Sequence, residues 1–394
     1  MKDRKINIQY ILLQGLYWMM FCPSAGFIAF YLQGNGFGNS MIGVITAVFC
    51  LVAVILQPMA GNLCDRIKIL TWKRMIILLG LPYVLICIMM FIVKERWLIA
   101  VLFGSMYIIA SIYLPMINTA LFAYEREGIK LNFGVARGTG SAMYAIMALL
   151  IGNMALRFGT KIIPASGLII MVLLLCVVST MPPTKKSVFE SEEYRQTNII
   201  SFIRKYPYFS VMLLAVLFIF FSHNIIGTYL LQIVQYLGGN SSNLGTAMFI
   251  QAVVEIPVLF TFSFIMSKIK VGNLMILACA GYILRAVLYF VSINIGMIYI
   301  TQLSQICSFA IIAAASVYFT GTAVREEDHA TGQAFMTGMM SAGTVLGSLF
   351  GGAILDYVGM RALLSVNILL SVIGTGIAIC SVRMMRIKKN FNQV

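Results

Sequence analysis

In a chain of 394 residues, a composition of 60% hydrophobic and 10% charged residues lies far from the roughly 45–50% apolar and about 25% charged of soluble domains, which excludes a soluble enzyme or binding module. The apolar runs are about twenty residues long, enough for a helix to cross roughly 30 Å of hydrocarbon and twice the length of the strands in a membrane barrel. The net charge of +15 raises the question of a nucleic-acid or membrane partner, and the placement of the basic residues answers it.

Twelve membrane-spanning helices are expected, at 9–33, 41–62, 75–93, 98–123, 138–157, 162–181, 210–235, 244–266, 272–292, 295–320, 331–354 and 360–382. The fold class is therefore all-α integral membrane. The first span follows MKDRK with no small-residue cleavage pattern, so it reads as a span and not as a removable signal. With both termini inside, 22 of the 28 basic residues fall on the inner side, against Lys94, Arg96, Arg157, Lys161 and Arg361 outside and Arg285 within a span. That asymmetry predicts a multi-pass protein of the cell (plasma) membrane with cytoplasmic termini. It also accounts for the charge without nucleic acid.

Span 1 carries Gln14, Tyr17 and Trp18 at i, i+3 and i+4, hence on one face. Rings with polar tips beside an amide suit a sugar-like ligand; the same pattern also serves ordinary packing. Spans 2 and 3 are joined by GNLCDRIKILTWKR, which contains Gly61-x-x-x-Asp65-Arg66, and Ser263-x-x-x-Ser267-Lys268 stands at the corresponding place after span 8. The longest hydrophilic stretch, MPPTKKSVFESEEYRQTNIISFIRKYP, separates six spans from six. Residues 1–181 and 210–394 are therefore expected to form two bundles, with 182–209 as a cytoplasmic linker. Six plus six is the plan of transporters built from two pseudo-symmetric halves around a central cavity.

The second half holds the charges that oil should reject. A charged side chain near the bilayer centre costs about 2.5–3.5 kcal/mol on insertion scales, and those that remain usually mark a pathway. His223 begins a polar stripe with Asn224, Thr228, Gln232 and Gln235 down span 7, at helical spacing. It reads as a substrate or proton group, or as a satisfied interior histidine. Span 8 carries Glu255 and span 9 Arg285. Counted from the turn at Val271, they lie about 16 and about 14 residues away, so at about 1.5 Å per residue their depths nearly match. An ion pair is expected, either switching with substrate occupancy or fixing helix packing as a static bridge. Span 10 offers Gln302 and Gln305.

Before span 11, Glu326, Glu327 and Asp328 read as a helix-start signal near the positive N-terminal end. The glycines at 332, 338, 343, 347, 351 and 352 permit close, sliding helix contact. The eight cysteines lie in spans or at their ends with no CxxC spacing, as small buried hydrophobes and not a metal site or disulfide framework. No phosphate-binding, dinucleotide or HExxH motif occurs, so no cofactor, no metal and no enzymatic activity are expected.

The Gly61/Asp65/Arg66 motif, by its position between spans 2 and 3 of twelve, resembles the cytoplasmic signature of the major facilitator superfamily. There it implies a gating latch for a rocking cycle. Four further stretches, AGFIAFYLQGNGFGNSMIGVITAVFCLVAVILQPMAGNLCDR, NFGVARGTGSAMYAI, VVEIPVLF and ILRAVL, resemble the lactose permease type of oligosaccharide:proton symporters. The resemblance implies that Arg137 holds sugar hydroxyls and that Tyr144 stacks on the sugar ring in place of a tryptophan. It implies that Glu125 is the acidic partner of Arg137, that Glu255 touches both sugar and proton network, and that Arg285 tunes proton release. Departures are plain: span 10 has glutamines where the family has its coupling carboxylate and basic neighbours, and span 7 has His223 and Asn224 where the family has acids.

The expected function is secondary active transport of a small polar solute, foremost a sugar or oligosaccharide, by alternating access with proton coupling through Glu255, Arg285 and His223. The substrate-binding candidates are Gln14, Tyr17, Trp18, Glu125, Arg137, Tyr144, His223, Asn224, Gln302 and Gln305. A drug or metabolite exporter, a nucleoside carrier and a non-transporting membrane sensor are the alternatives. The partners are a small-molecule substrate, protons and the lipid bilayer, and the chain is expected to act as a monomer.

Overall fold

The computed structural model describes residues 2–67, 69–184 and 199–391. The elements are α1 (Lys2–Phe21), α2 (Ile28–Gly34), α3 (Asn39–Arg66), α4 (Trp72–Ile92), α5 (Arg96–Arg126), α6 (Phe133–Phe158), α7 (Ile162–Thr180), α8 (Ile199–Lys205), α9 (Pro207–Tyr236), α10 (Ser241–Lys268), α11 (Val271–Val291), α12 (Ile295–Gln302), α13 (Phe309–Ala323), α14 (His329–Tyr357) and α15 (Met360–Phe391). No strand occurs among the described residues.

Among the described residues, nine helices are long and apolar enough to cross a membrane, or eleven when each of two bent pairs is one span. One of the nine runs from Phe133 to Thr180 and holds α6 and α7, separated by a short 3-10 turn at Gly159–Lys161. Counting those two separately gives the twelve spans expected. The sequence places the breaks. Gly159 sits at φ 56°, a conformation glycine adopts without steric cost, and ends α6. Thr71, Glu95, Asn132 and Asn294 each accept a backbone N–H in the first turn of the helix that follows, satisfying donors a helix start leaves open.

Three spans are interrupted, two beside a proline and the third at a close contact with a neighbouring helix. A π-helical turn, Cys22–Gly26, with Pro23 in its first turn, joins α1 to α2, which bend by 47°. Helix α10 bends by 54° between Val258 and Phe260, immediately after Pro257, where proline removes a backbone donor and crowds the preceding turn. Span 10 is broken into α12, a 3-10 segment Leu303–Cys307, and α13. There Gly281 of α11 lies so close to the Cys307 carbonyl that an added Cβ would collide with it.

The chain divides into two compact units, Met1–Glu192 with Asn240–Val253, and Glu193–Gly239 with Val254–Val394. In the first, α1 packs on α6 and α7, α4 on α5 and α7, and α3 on α5. In the second, α9 packs on α14 and α15, and α11 on α13 and α15. Numbered as spans, most of the same pairings recur six positions later. Glycines at 343, 347 and 351 set α14 directly against α9, with Leu217, Phe221 and Tyr229 at the contact; this is the close approach read from the sequence. The residues 185–198 of the expected linker lie outside the described residues, and 199–205 form α8.

Candidate functional site

In unit 1, α1 and α6 bring together Trp18, Arg137 and Tyr144. Gly140 is what lets them meet, since a Cβ there would collide with the Trp18 indole. The Arg137 guanidinium carbon stands 4.2 Å from the Trp18 ring centroid, a cation–π distance, and its Nη1 donates to Ser141 Oγ at 2.7 Å. The Trp18 ring is edge-on to Tyr144 at 6.3 Å and to Tyr17 at 5.3 Å. The Trp18 Nε1–H is buried with no acceptor among the described residues. Together these form an aromatic shelf with a cation on its face and an N–H donor unfilled.

In unit 2, the broken span 10 delivers two glutamines into an apolar interior. Gln305 Nε2 donates to Glu255 Oε1 at 2.9 Å, and Gln302 Nε2 donates to the Tyr289 hydroxyl at 2.7 Å. Both glutamines are fully buried. Arg285, 3% exposed, donates from Nη1 to His223 Nδ1 at 3.2 Å, and the Tyr282 hydroxyl lies 3.4 Å from the same nitrogen. Arginine is always protonated and only donates, so His223 Nδ1 is an acceptor and the ring is neutral in this arrangement. The imidazole stacks on Phe309 at 4.9 Å and 11°.

A model of the MFS_1 like family matches residues 10–366. The chain belongs to that family. It is a multi-pass membrane transporter of the major facilitator type. YwbF, an uncharacterized transporter of Bacillus subtilis (strain 168), is 22% identical over 408 residues, which cover 99% of this chain and 97% of the relative. Among solved structures, a mutant of the nucleoside transporter NupG is similar with a TM-score of 0.80 at 15% identity, over 96% of this chain and 99% of that one. A bacterial homologue of the human drug peptide transporters PepT1 and PepT2 scores 0.72 at 10% identity, over 98% and 99%. A bacterial homologue of the human lysosomal transporter Spinster, inward-facing and unoccupied, scores 0.65 at 14%, over 96% and 95%. At these identities the likeness to solved structures establishes the fold.

Several expectations about this major facilitator chain require correction. Among the described residues no ion pair joins Glu255 to Arg285: Glu255 accepts from Gln305 on the broken span, while Arg285 is turned toward α9 and His223. Glu125 does not partner Arg137. It is exposed at the end of α5 and forms no ion pair, because Arg137 is drawn onto Trp18 and Ser141 instead. Gln14 is fully buried and donates to the Tyr10 hydroxyl at 3.0 Å, leaving its Oε1 without a donor. The polar stripe of span 7 divides between two neighbours: His223 meets α11, whereas Thr228 meets Ser348 of α14 and Asn224 bonds the Phe220 carbonyl.

Gly61 meets nothing within 4 Å of an added Cβ among the described residues. The side chains of Asp65 and Arg66 lie outside the described residues. Glu327 and Asp328 act less as a helix start than as anions for Lys205, whose Nζ is 2.8 and 2.6 Å from them. No metal-holding cluster occurs among the described residues.

Sequence reasoning missed Ser141, Tyr282, Tyr289 and Phe309. The first three carry a usable signal, since they stand four residues from Arg137 or three and four from Arg285, the spacings at which helical side chains meet. Phe309 carries none. It reaches His223 only because span 10 breaks just before it.

Proposed function

We propose that this transporter carries a small, neutral, hydroxyl-bearing ring solute, foremost a sugar, by alternating access coupled to a proton on Glu255. The observation that carries the reading is Glu255 itself. It is buried, accepts a hydrogen bond from the neutral Gln305 amide, and lies two residues from the proline at which α10 bends. Helix α10 contributes its first half to unit 1 and its second to unit 2, so a charge change at Glu255 acts on the one helix shared by both.

The Trp18–Arg137–Tyr144 shelf supports the ring solute: flat faces take the C–H side of a pyranose or furanose, and the guanidinium fork donates to hydroxyls. His223 Nδ1 accepts from Arg285, so it can take a proton only when that bond opens, and a proton there would release Arg285. The Lys/Arg asymmetry supports cytoplasmic termini in the cell membrane. A nucleoside is the second reading, supported by the fold shared with NupG and by a ribose offering the same hydroxyls.

The test is reconstitution in liposomes with an internal pH-sensitive dye and a panel of labelled mono- and disaccharides and nucleosides, comparing wild type with Glu255→Gln. Solute-dependent proton movement in wild type, absent in the variant, supports the reading and names the solute. Solute entry without a proton signal in either protein overturns the coupling, and no entry of any panel member overturns the solute class.

A further inference from the structure

Beyond the transport path, unit 1 carries an apolar groove of ≈ 470 Å³ between α6 and α7, within the roughly 300–1,000 Å³ of small-molecule pockets. It exists because α6 packs chiefly on α1 and α7 on α4, so the two neighbours in sequence are held by different partners and part along their length. Met147, Ile151, Met154 and Phe158 line one side at helical spacing, and α7 supplies the other between Ile162 and Ile170. Phe158 is 56% and Ile169 59% exposed, so the groove opens sideways. The one lining hydroxyl, Ser166, donates to the Ile163 carbonyl, which leaves the walls without an unmet polar group.

The groove has a length and a charged end. From Met147 to Phe158 it follows eleven residues, about 16 Å at about 1.5 Å each, which is half of the roughly 30 Å hydrocarbon core. It therefore covers one leaflet, starting at the α6–α7 turn. At that turn Lys161 lines the mouth, and Arg157 stands one helical turn away. Both are exposed and neither forms an ion pair among the described residues. Glu95, just beyond the end of α4, accepts from the backbone N–H groups that start α5.

We propose that this groove is a binding site for one anionic phospholipid, with an acyl chain between α6 and α7 and the phosphate at Lys161 and Arg157. A one-leaflet apolar slot fits an acyl chain, and two unpaired cations at its interfacial end favour a headgroup of net negative charge over a zwitterion. The bound lipid fills the gap beside Met19 of α1, adjacent to Trp18. It thereby braces the helix pair that presents Trp18 and Arg137.

The experiment is native mass spectrometry of the purified chain titrated with phosphatidylglycerol or phosphatidylethanolamine of matched acyl chains. Wild type is expected to retain one phosphatidylglycerol with at least about tenfold preference, since each basic residue near the surface contributes about that scale of attraction. Lys161→Glu with Arg157→Glu, both at exposed positions, should abolish or invert the preference while the melting temperature without added lipid stays unchanged. Ala165→Trp, which fills the groove, should lower retention of both lipids. Equal retention of the two lipids by wild type overturns the proposal, as does an unchanged preference in the charge-reversed variant. If Ala165→Trp does not fold, the charge-reversed variant decides alone.

Discussion

The bridge from span 2 to span 4 in unit 1 joins two neutral groups, with Gln57 Nε2 donating to the Ser111 carbonyl at 3.2 Å. Between the corresponding spans 8 and 10 of unit 2, the bridge is Glu255 accepting from Gln305 at 2.9 Å. The entry segments differ in the same sense. Asn7 Oδ1 accepts from the Asn132 N–H ahead of α6, whereas Lys205 binds Glu327 and Asp328 ahead of α14. One packing scheme thus carries neutral bridges in one unit and ionisable ones in the other. Neutral bridges hold at any pH; ionisable ones can be rewritten by a proton. On this comparison unit 1 recognises and unit 2 switches.

The sharpest way to break the comparison is to make the unit 2 bridge neutral. Glu255→Gln should reduce proton-driven accumulation at least about 100-fold, the lower end of what a positioned proton-transferring group contributes, while equilibrium exchange of the solute persists. Concentrative uptake in liposomes against exchange of labelled for unlabelled solute separates the two, and equal loss of both would place Glu255 in binding alone. Gln305→Leu removes the amide that donates to Glu255. An unsatisfied buried group costs about 1–3 kcal/mol, more when charged, so uptake should fall roughly tenfold, and Gln305→Asn should recover part of it.

The converse test is on unit 1. Arg137→Lys keeps the charge but loses the planar fork and its stacking on Trp18, a substitution that is not conservative at a stacked site. The half-saturating solute concentration should rise roughly tenfold, the equivalent of about 1.4 kcal/mol, with the solute-to-proton ratio unchanged. A changed ratio would show that unit 1 also switches.

What the sequence could and could not disclose follows from how far each contact reaches. The twelve spans and the burial of Glu255 and Arg285 are properties of twenty-residue windows, and they were legible. The family likeness implied a shared site for Arg137 and Tyr144, and helical spacing singled out Trp18, but that Trp18 meets them was not legible, and Gly140, which permits it, carried no sign of that role. The Glu255–Arg285 pair was misread because matched depth fixes only one coordinate. Which way each side chain turns depends on the break in span 10, and "QLSQICS" contains neither proline nor glycine to announce it. Its cause is tertiary, the approach of Gly281 to the Cys307 carbonyl.

His223 sharpens the comparison at moderate scale. Its neutral Nδ1 accepts from Arg285, so His223→Leu leaves a buried guanidinium without that acceptor, and removing one partner of a buried charge is destabilising by several kcal/mol at the upper end. His223→Gln restores an acceptor. Thermal unfolding in detergent should therefore show a large drop for leucine and a small one for glutamine. If glutamine also keeps wild-type coupling, Glu255 alone carries the proton.

The smallest effect is expected at the entry segments, where the sign can be worked out. Hydrogen bonding from the Lys205 ammonium, then from the Tyr206 hydroxyl, holds the Asp328 carboxyl below the usual aspartate range. A carboxyl with a depressed value contributes stability that is present above its unfolded value, about 3.9, and is lost as pH falls through the folded one. Asp328→Asn should thus lower the melting temperature slightly at pH 7, and the gap to wild type should close as the medium is acidified below about pH 4. The Asn7–Asn132 bridge has no group that titrates there. Asn7→Ala should give a gap of the same size at both pH values, and a gap that closes in acid for both variants would mean that the contrast between neutral and ionisable bridges does not govern the entry segments.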